Sequence, residues 1–131
     1  MKKKWSAKSE IRKLDAFCRK LVMARDHEQC RRCGKGKLQV ALHWAHVISR
    51  SKKSVRWDLK NSFCLCYYCH FRWAHEQPLA FAAWVREQIG DDAADTLTLR
   101  GNTPQPLTPT VAHIWWSYLS DRAVKLGVEM P

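Results

Sequence analysis

Two Cys-x-x-Cys pairs, Cys30-x-x-Cys33 and Cys66-x-x-Cys69, are the residues whose spacing most directly specifies chemistry in this chain. Each pair can close on one ion through a tight knuckle, and four thiolates are the soft tetrahedral set that structural Zn²⁺ prefers. Redox chemistry is the competing use of Cys-x-x-Cys, but there are two pairs and neither sits in a thioredoxin-like pattern. Three disulfides in an exported protein would be another use of six cysteines. The start MKKKWSAKSEIRK has no apolar signal core, so Cys18 and Cys64 read as spare buried thiols instead. In so small a chain a closed zinc site would supply on the order of 10 kcal/mol of folding free energy.

A second set lies between and just behind the cysteine pairs. His46 ends an apolar run, Asn61 follows it, and His70 comes directly after Cys69. Histidine titrates near neutral pH, so at a strand end it can take a proton from a water attacking a phosphodiester. His43 would share a strand face with Ala45, and His75 lies about one helical turn beyond His70. His27 and His113 fall outside this constellation. Arg50, Lys52, Lys53 and Arg56 lie between His46 and Asn61, where DNA reaching His46 would pass, and they read as phosphate contacts that position without reading sequence.

The order His46, Asn61, His70, bracketed by the cysteine pairs, resembles the HNH (His-Me finger) endonuclease family. The segment AHVISRSKKSVRWDLKNSFCLCYYCH is also similar to the corresponding part of lambdoid-phage NinG-type recombination proteins, and the likeness covers residues 30–75. It implies a ββα-metal core of two strands and a helix that hydrolyses DNA. In that core His46 is the base, Asn61 fixes its ring, and His70 is a ligand of a catalytic divalent ion. Mg²⁺ is the first expectation for that ion, with Mn²⁺, Ni²⁺ or Zn²⁺ as alternatives. Many members carry Asp or His directly before the base; this chain has Ala45, whose methyl cannot bind metal, so His43 and His75 are the substitute ligands. The resemblance further implies phage or mobile-element recombination or a restriction-like role, a recombination partner protein, and the cytoplasm of a bacterial host. Double-strand cleavage by one small site would need a homodimer. The alternative is a non-catalytic zinc-ribbon DNA-binding or recombination-accessory protein in which Ala45 marks a lost metal site.

The rest of the chain must position these residues. Its 23 lysines and arginines against 12 acids, a formal +11, point to a polyanionic partner, DNA first. No apolar run approaches the about 18 residues of a bilayer span, so no membrane is expected and the location reads as cytoplasmic. A length of 131 residues suits one α+β domain: an N-terminal basic helix in 1–29, a zinc-stabilised core in 30–76 and C-terminal helices in 77–131.

Ile11, Leu14, Phe17, Cys18, Leu21 and Val22 predict a helix over 9–25, with Lys13, Arg19, Lys20 and Arg25 on its outer surface. Loose alternation predicts a strand over 38–44, residues 49–60 read as a polar loop, 61–66 as a second strand and 67–75 as helical. A helix over 79–88 would bury Phe81, Trp84, Val85 and Ile89 and end at Gly90. GNTPQPLTPT must be a connector, and a last helix runs from Thr110 as N-cap to Lys125. Most of the seven tryptophans should be buried, Trp57 and Trp73 among them, whereas of Trp115 and Trp116 one faces inward and the other offers a docking surface.

Overall fold

In the computed structural model, which describes residues 4–131, the N-terminal helix is α1, Ala7–Arg25. The lysines at the very start of the basic segment, within residues 1–3, lie outside the described residues. Ser6 caps α1 by accepting from the Ser9 N–H at 3.3 Å, and Leu14, Phe17, Cys18, Leu21 and Val22 form the buried stripe. The chain then reverses through left-handed His27 and Glu28 into the Cys30–Cys33 knuckle.

The first strand, β1, is Leu42–His46, and it begins later than the alternation of residues 38–44 suggests. Residues 36–40 turn instead: the Gln39 and Val40 N–H groups both donate to Gly36 O, the Gly36 N–H donates to Gln39 Oε1, and Leu38 is 96% exposed. A local turn satisfies backbone groups that an unpaired strand would leave open. β1 pairs antiparallel with β2, Ser62–Cys66, in the register Leu42–Cys66, Trp44–Cys64, His46–Ser62.

Every residue of β2 is buried, because the two-stranded sheet is covered on both faces. On one face Trp44 and Cys64 join α1 and the last helix, together with Trp57 and Leu59. On the other, Ala45, Phe63 and Leu65 pack with three of the paired cysteines, Trp73 and Val85. Both Trp57 (0% exposed) and Trp73 (8%) are core residues.

Residues after β2 wind into a helical turn, Tyr68–Ala74, in the wide π form, as the His75 N–H to His70 O bond shows. Pro78 then occupies the first turn of α2, Pro78–Ile89, where its missing N–H costs nothing. Gly90, at φ 89°, separates α2 from α3, Asp91–Gly101, a helix beyond the sequence expectations. The last helix, α4, is Pro109–Leu126, capped by Thr108 rather than Thr110: Thr108 Oγ1 accepts from the Val111 N–H at 3.2 Å with Pro109 behind it. Trp115 is buried against Trp57, while Trp116 stacks on Phe17 and donates to Glu10 Oε2 at 2.8 Å, so it closes the α1–α4 seam and is not a docking surface. Among the described residues no helix is long and apolar enough to cross a membrane.

Candidate metal centre and histidine site

The knuckle is built by local backbone chemistry. The Cys30 N–H donates to Lys35 O and the Gly34 N–H to Cys30 O, both at 2.8 Å, and Gly34 takes the left-handed φ of 82° that the tight turn requires. The Arg31 N–H donates to Cys64 O at 2.8 Å, which docks the knuckle on β2 and brings Cys30 and Cys33 to Cys66 and Cys69. The four sulfurs all lie within 4.8 Å of one another.

Cys33 Sγ and Cys66 Sγ stand 3.7 Å apart, far longer than a disulfide and close to the about 3.8 Å edge of a tetrahedron with Zn–S bonds of about 2.3 Å. All six cysteines are free thiols. Burial raises the Cys30 pKa, but the amide N–H groups of Cys33, Cys66 and Arg32 outweigh it and bring the thiol down to about 7. Arg32 donates to Cys69 Sγ at 3.5 Å while its guanidinium lies 3.9 Å from the Trp73 ring centre. Donor type, spacing and converging N–H groups all fit a four-coordinate structural metal such as zinc, with no ligand position left open. Cys18 and Cys64 stay outside the cluster; burial pushes the Cys18 thiol well up and the Cys64 thiol to about 12, so both are inert thiols of the core.

On the same sheet face, β1 and the π turn bring three histidines together. His43 Nδ1 and His70 Nδ1 are 3.1 Å apart, and the His70 and His75 rings lie 4.8 Å apart. Residues five apart diverge on an α-helix; the wider winding is what sets His75 beside His70. Burial, followed by the charges of His75 and His43, lowers the His70 pKa to about 4, so its imidazole is neutral with a lone pair to share. Exposed Tyr67 and Phe71 frame the cluster. Ala45, between His43 and His46, is 1% exposed and pairs with Phe63, so its methyl is a core contact.

His46 faces the other way, as strand alternation requires. Its ring sits 4.2 Å from Trp44, on the α1 side of the sheet, and makes no hydrogen bond or ring contact with His43, His70 or His75. His46 Nε2 lies 3.0 Å from Arg56 O, and since a carbonyl only accepts, the proton is on Nε2 and the lone pair on Nδ1. His46 Nδ1 is the buried side-chain nitrogen or oxygen that has no partner among the described residues. Burial lowers the His46 pKa to about 4, helped by the charges of Arg50 and Arg56 and opposed by the Arg56 carbonyl and Asp15. At neutral pH the ring is therefore uncharged.

Asn61 does not orient this ring, contrary to the role the family resemblance implies. It is fully buried, and its Oδ1 accepts from the Ile48 N–H at 2.8 Å while Nδ2 donates to Ile48 O and Val55 O at 3.1 and 3.0 Å. The residue pins both ends of the loop after His46 and so places Arg56 O indirectly. Asn61→Asp, the same size, is expected to destabilise the fold by about 3 kcal/mol, because a carboxylate would face two carbonyl oxygens it cannot donate to. A urea midpoint equal to wild type would refute that account.

The basic loop is also arranged differently from expectation. Arg56 donates to Asp15 through Nε at 2.9 Å and Nη2 at 2.6 Å, and Arg50 Nη2 reaches the same carboxylate at 3.3 Å. Trp57 Nε1 donates to Asp15 as well, at 2.8 Å. Burial raises the Asp15 pKa, but these hydrogen bonds and charges overcome it and hold the carboxyl below the usual range. Arg56 is thus a structural tether, Arg50 is partly neutralised, and Lys52 and Lys53 are in no ion pair among the described residues. Asp15, on α1, had no visible signal in the sequence, since an aspartate on an amphipathic helix reads as solvated surface.

The same holds for Asp26. Its 1% exposed carboxylate accepts from Arg25, Arg31 and the Cys64 N–H, and Arg25 also donates to Leu59 O and to Ser62 O. Arg25 therefore belongs to the interior rather than to the outer face of α1. Comparisons with protein-family models, with curated proteins and with solved structures find no match for this chain.

Proposed function

We propose that this protein is a zinc-stabilised, metal-dependent endonuclease of the HNH type that hydrolyses DNA phosphodiester bonds. The observation that carries the reading is His46: a neutral imidazole with its proton fixed on Nε2 by a backbone carbonyl and its Nδ1 lone pair unpartnered. That is the protonation state a general base needs; Nδ1 is buried, so water reaches it only when DNA binding opens the loop over His46. A base of pKa about 4 is weak, but an approaching phosphate anion raises it, because negative charge favours the imidazolium.

His70 and His43, with His75 beside them, would hold a catalytic cation that would supply charge stabilisation to a phosphate. Because His46 faces the other side of the sheet, the reaction requires His46 to turn toward that cluster when DNA binds. Imidazole donors suit Ni²⁺ or Zn²⁺ better than Mg²⁺ or Mn²⁺. The basic charge and the lysines of the loop that follows His46 in sequence support DNA as substrate. The family resemblance supports a phage or mobile-element role in recombination or restriction.

The test is cleavage of supercoiled plasmid with Mg²⁺, Mn²⁺ or Ni²⁺ added to zinc-loaded protein. His46→Ala is expected to cut about 10²- to 10⁴-fold more slowly while binding DNA as tightly. At DNA concentrations well below saturation the rate reports the free protein's base, so it should show no break near the ordinary histidine pKa and should fall only as pH drops toward about 4. Equal cutting by His46→Ala would end the proposed mechanism.

A second reading rests on one observation: β1 points His46 away from the His43–His70 pair, and the residue just before His46 is the buried core residue Ala45, which offers no metal ligand. On that reading the protein binds DNA without cutting it, and no added metal would produce cleavage.

A further inference from the structure

The loop after His46 and the proline-rich connector form the two walls of a groove that neither the metal centre nor the histidines use. Lys52 and Lys53 line one side; Asn102, Thr103 and Gln105 of the connector line the other, around about 360 Å³. A second cavity of about 310 Å³ continues it past Leu99 and Arg100, sharing Ser54, Thr103 and Gln105.

The walls are locked together. Ser54 Oγ donates to Arg100 O at 2.6 Å, Arg100 Nη2 donates back to Ser54 O at 3.0 Å, and Arg100 Nη1 pairs with Asp58 at 2.6 Å. Gly101 lies so close to Ile48 that a Cβ there would sit 3.2 Å from two of its carbons. Pro104 and Pro106 further restrict the connector. Thr103 Oγ1 is spent on Leu99 O, but the exposed Asn102 and Gln105 amides make no hydrogen bond within the described chain.

We propose that this groove seats one sugar-phosphate backbone of a nucleic acid. Lys52 and Lys53 neutralise phosphates, and Asn102 and Gln105 donate from the opposite wall to phosphate or sugar oxygens. Because Asp15 occupies Arg56 and part of Arg50, the free positive charge of the loop lies on the groove side. Continuation into a second cavity suits a polymer rather than one small anion. The inference rests on the DNA-binding half of the function proposed above and is independent of the cutting chemistry.

The experiment measures the affinity of a fluorescent DNA duplex for the full chain between ~50 and ~200 mM salt, without divalent cations added. Lys52→Ala/Lys53→Ala is expected to flatten the slope of log Kd against log salt by about 1.8, about 0.9 per released phosphate contact. Asn102→Ala/Gln105→Ala is expected to weaken binding about tenfold at each salt with the slope unchanged, since it removes neutral donors. An unchanged slope for the lysine pair, or wild-type affinity for the amide pair, would overturn the groove. Should the lysine pair disturb folding, the exposed amide pair decides alone. Wild-type protein that binds DNA without cutting refutes the reaction proposed above and leaves the groove intact; protein that binds no DNA refutes both.

Discussion

Replacing Cys69 with serine is expected to unfold this protein at room temperature, and removing metal with a strong chelator should do the same. Cys69 is 1% exposed, sits where β2 passes into the π turn, and its sulfur is one corner of the four-cysteine cluster. The cluster is the center of the second core, in which Phe63, Leu65, Trp73 and Val85 gather around three of the cysteines. Besides the cysteines, the knuckle is tied to the sheet by the Arg31 N–H to Cys64 O bond, the Asp26 network and Arg31 lying over the Phe63 ring, all of them individually weak beside a metal. A structural zinc site contributes on the order of 10 kcal/mol, which is as much as the whole net stability of an ordinary domain. Without metal, burial and the neighbouring sulfurs push the Cys33 thiol up and the Cys69 thiol to about 12, so these two corners are left as protonated thiols with no ion to hold the knuckle to the sheet. The expected result is about one zinc per wild-type chain, and loss of both the metal and the far-UV helical signal in Cys69→Ser. A metal-free variant that melts at the wild-type temperature would show that the scaffold does not depend on the cluster.

Asp26→Ala is expected to cost about 3 kcal/mol or more, because removing one partner of a buried ion pair leaves the others uncompensated. Three elements depend on this carboxylate: Arg25 at the end of α1, Arg31 in the knuckle, and the Cys64 N–H of β2. Both arginines are mostly covered, at 21% and 31% side-chain exposure, so solvent replaces little of what is lost.

Asp26 also sets part of the acid stability. Burial raises its pKa, but the Arg25 hydrogen bond and charge, the Cys64 amide and Arg31 together hold it below the ordinary carboxylate value. A lowered folded pKa means that the unfolded chain binds the proton first as pH falls. The stabilisation is therefore complete above the unfolded value of about 3.9 and is lost as pH drops through the folded one. Asp26→Asn should flatten the decline of stability below about pH 4, read from urea midpoints across that range. A wild-type acid profile in Asp26→Asn would remove Asp26 from this account.

Much of the fold was legible because it is written in short-range chemistry. The apolar stripe of α1, the Pro78 and Gly90 limits of α2, and the Gly127 cap of α4, left-handed at φ 67°, are properties of a few adjacent residues. The start of α4 was open to the same reading: Thr108 followed by Pro109 is an N-cap with proline at N1, a stronger signal than Thr110. Helix α3 carried its own cues in Gly90, Asp91 and Asp92. Strand β1 was misplaced because alternation alone does not say where a partner is. Its true limits follow from the register with β2 and from the turn that Gly36 and Gln39 close.

The cysteine cluster was specified by sequence, since two chelating pairs need only be brought together and the metal itself rewards their meeting. Side-chain direction at the histidines was not. One position of strand alternation separates His46 from the face of His43, and a π rather than α winding decides whether His75 reaches His70. The use of each charge was equally hidden. Asp15, Asp26 and Arg25 look like surface residues in one dimension, and only the packing of α1 on the sheet and loop turns them inward, where low solvent access makes their pairing obligatory. The sequence by itself thus determined which residues could do chemistry; the tertiary structure decided which way they point and which charges remain free for a ligand.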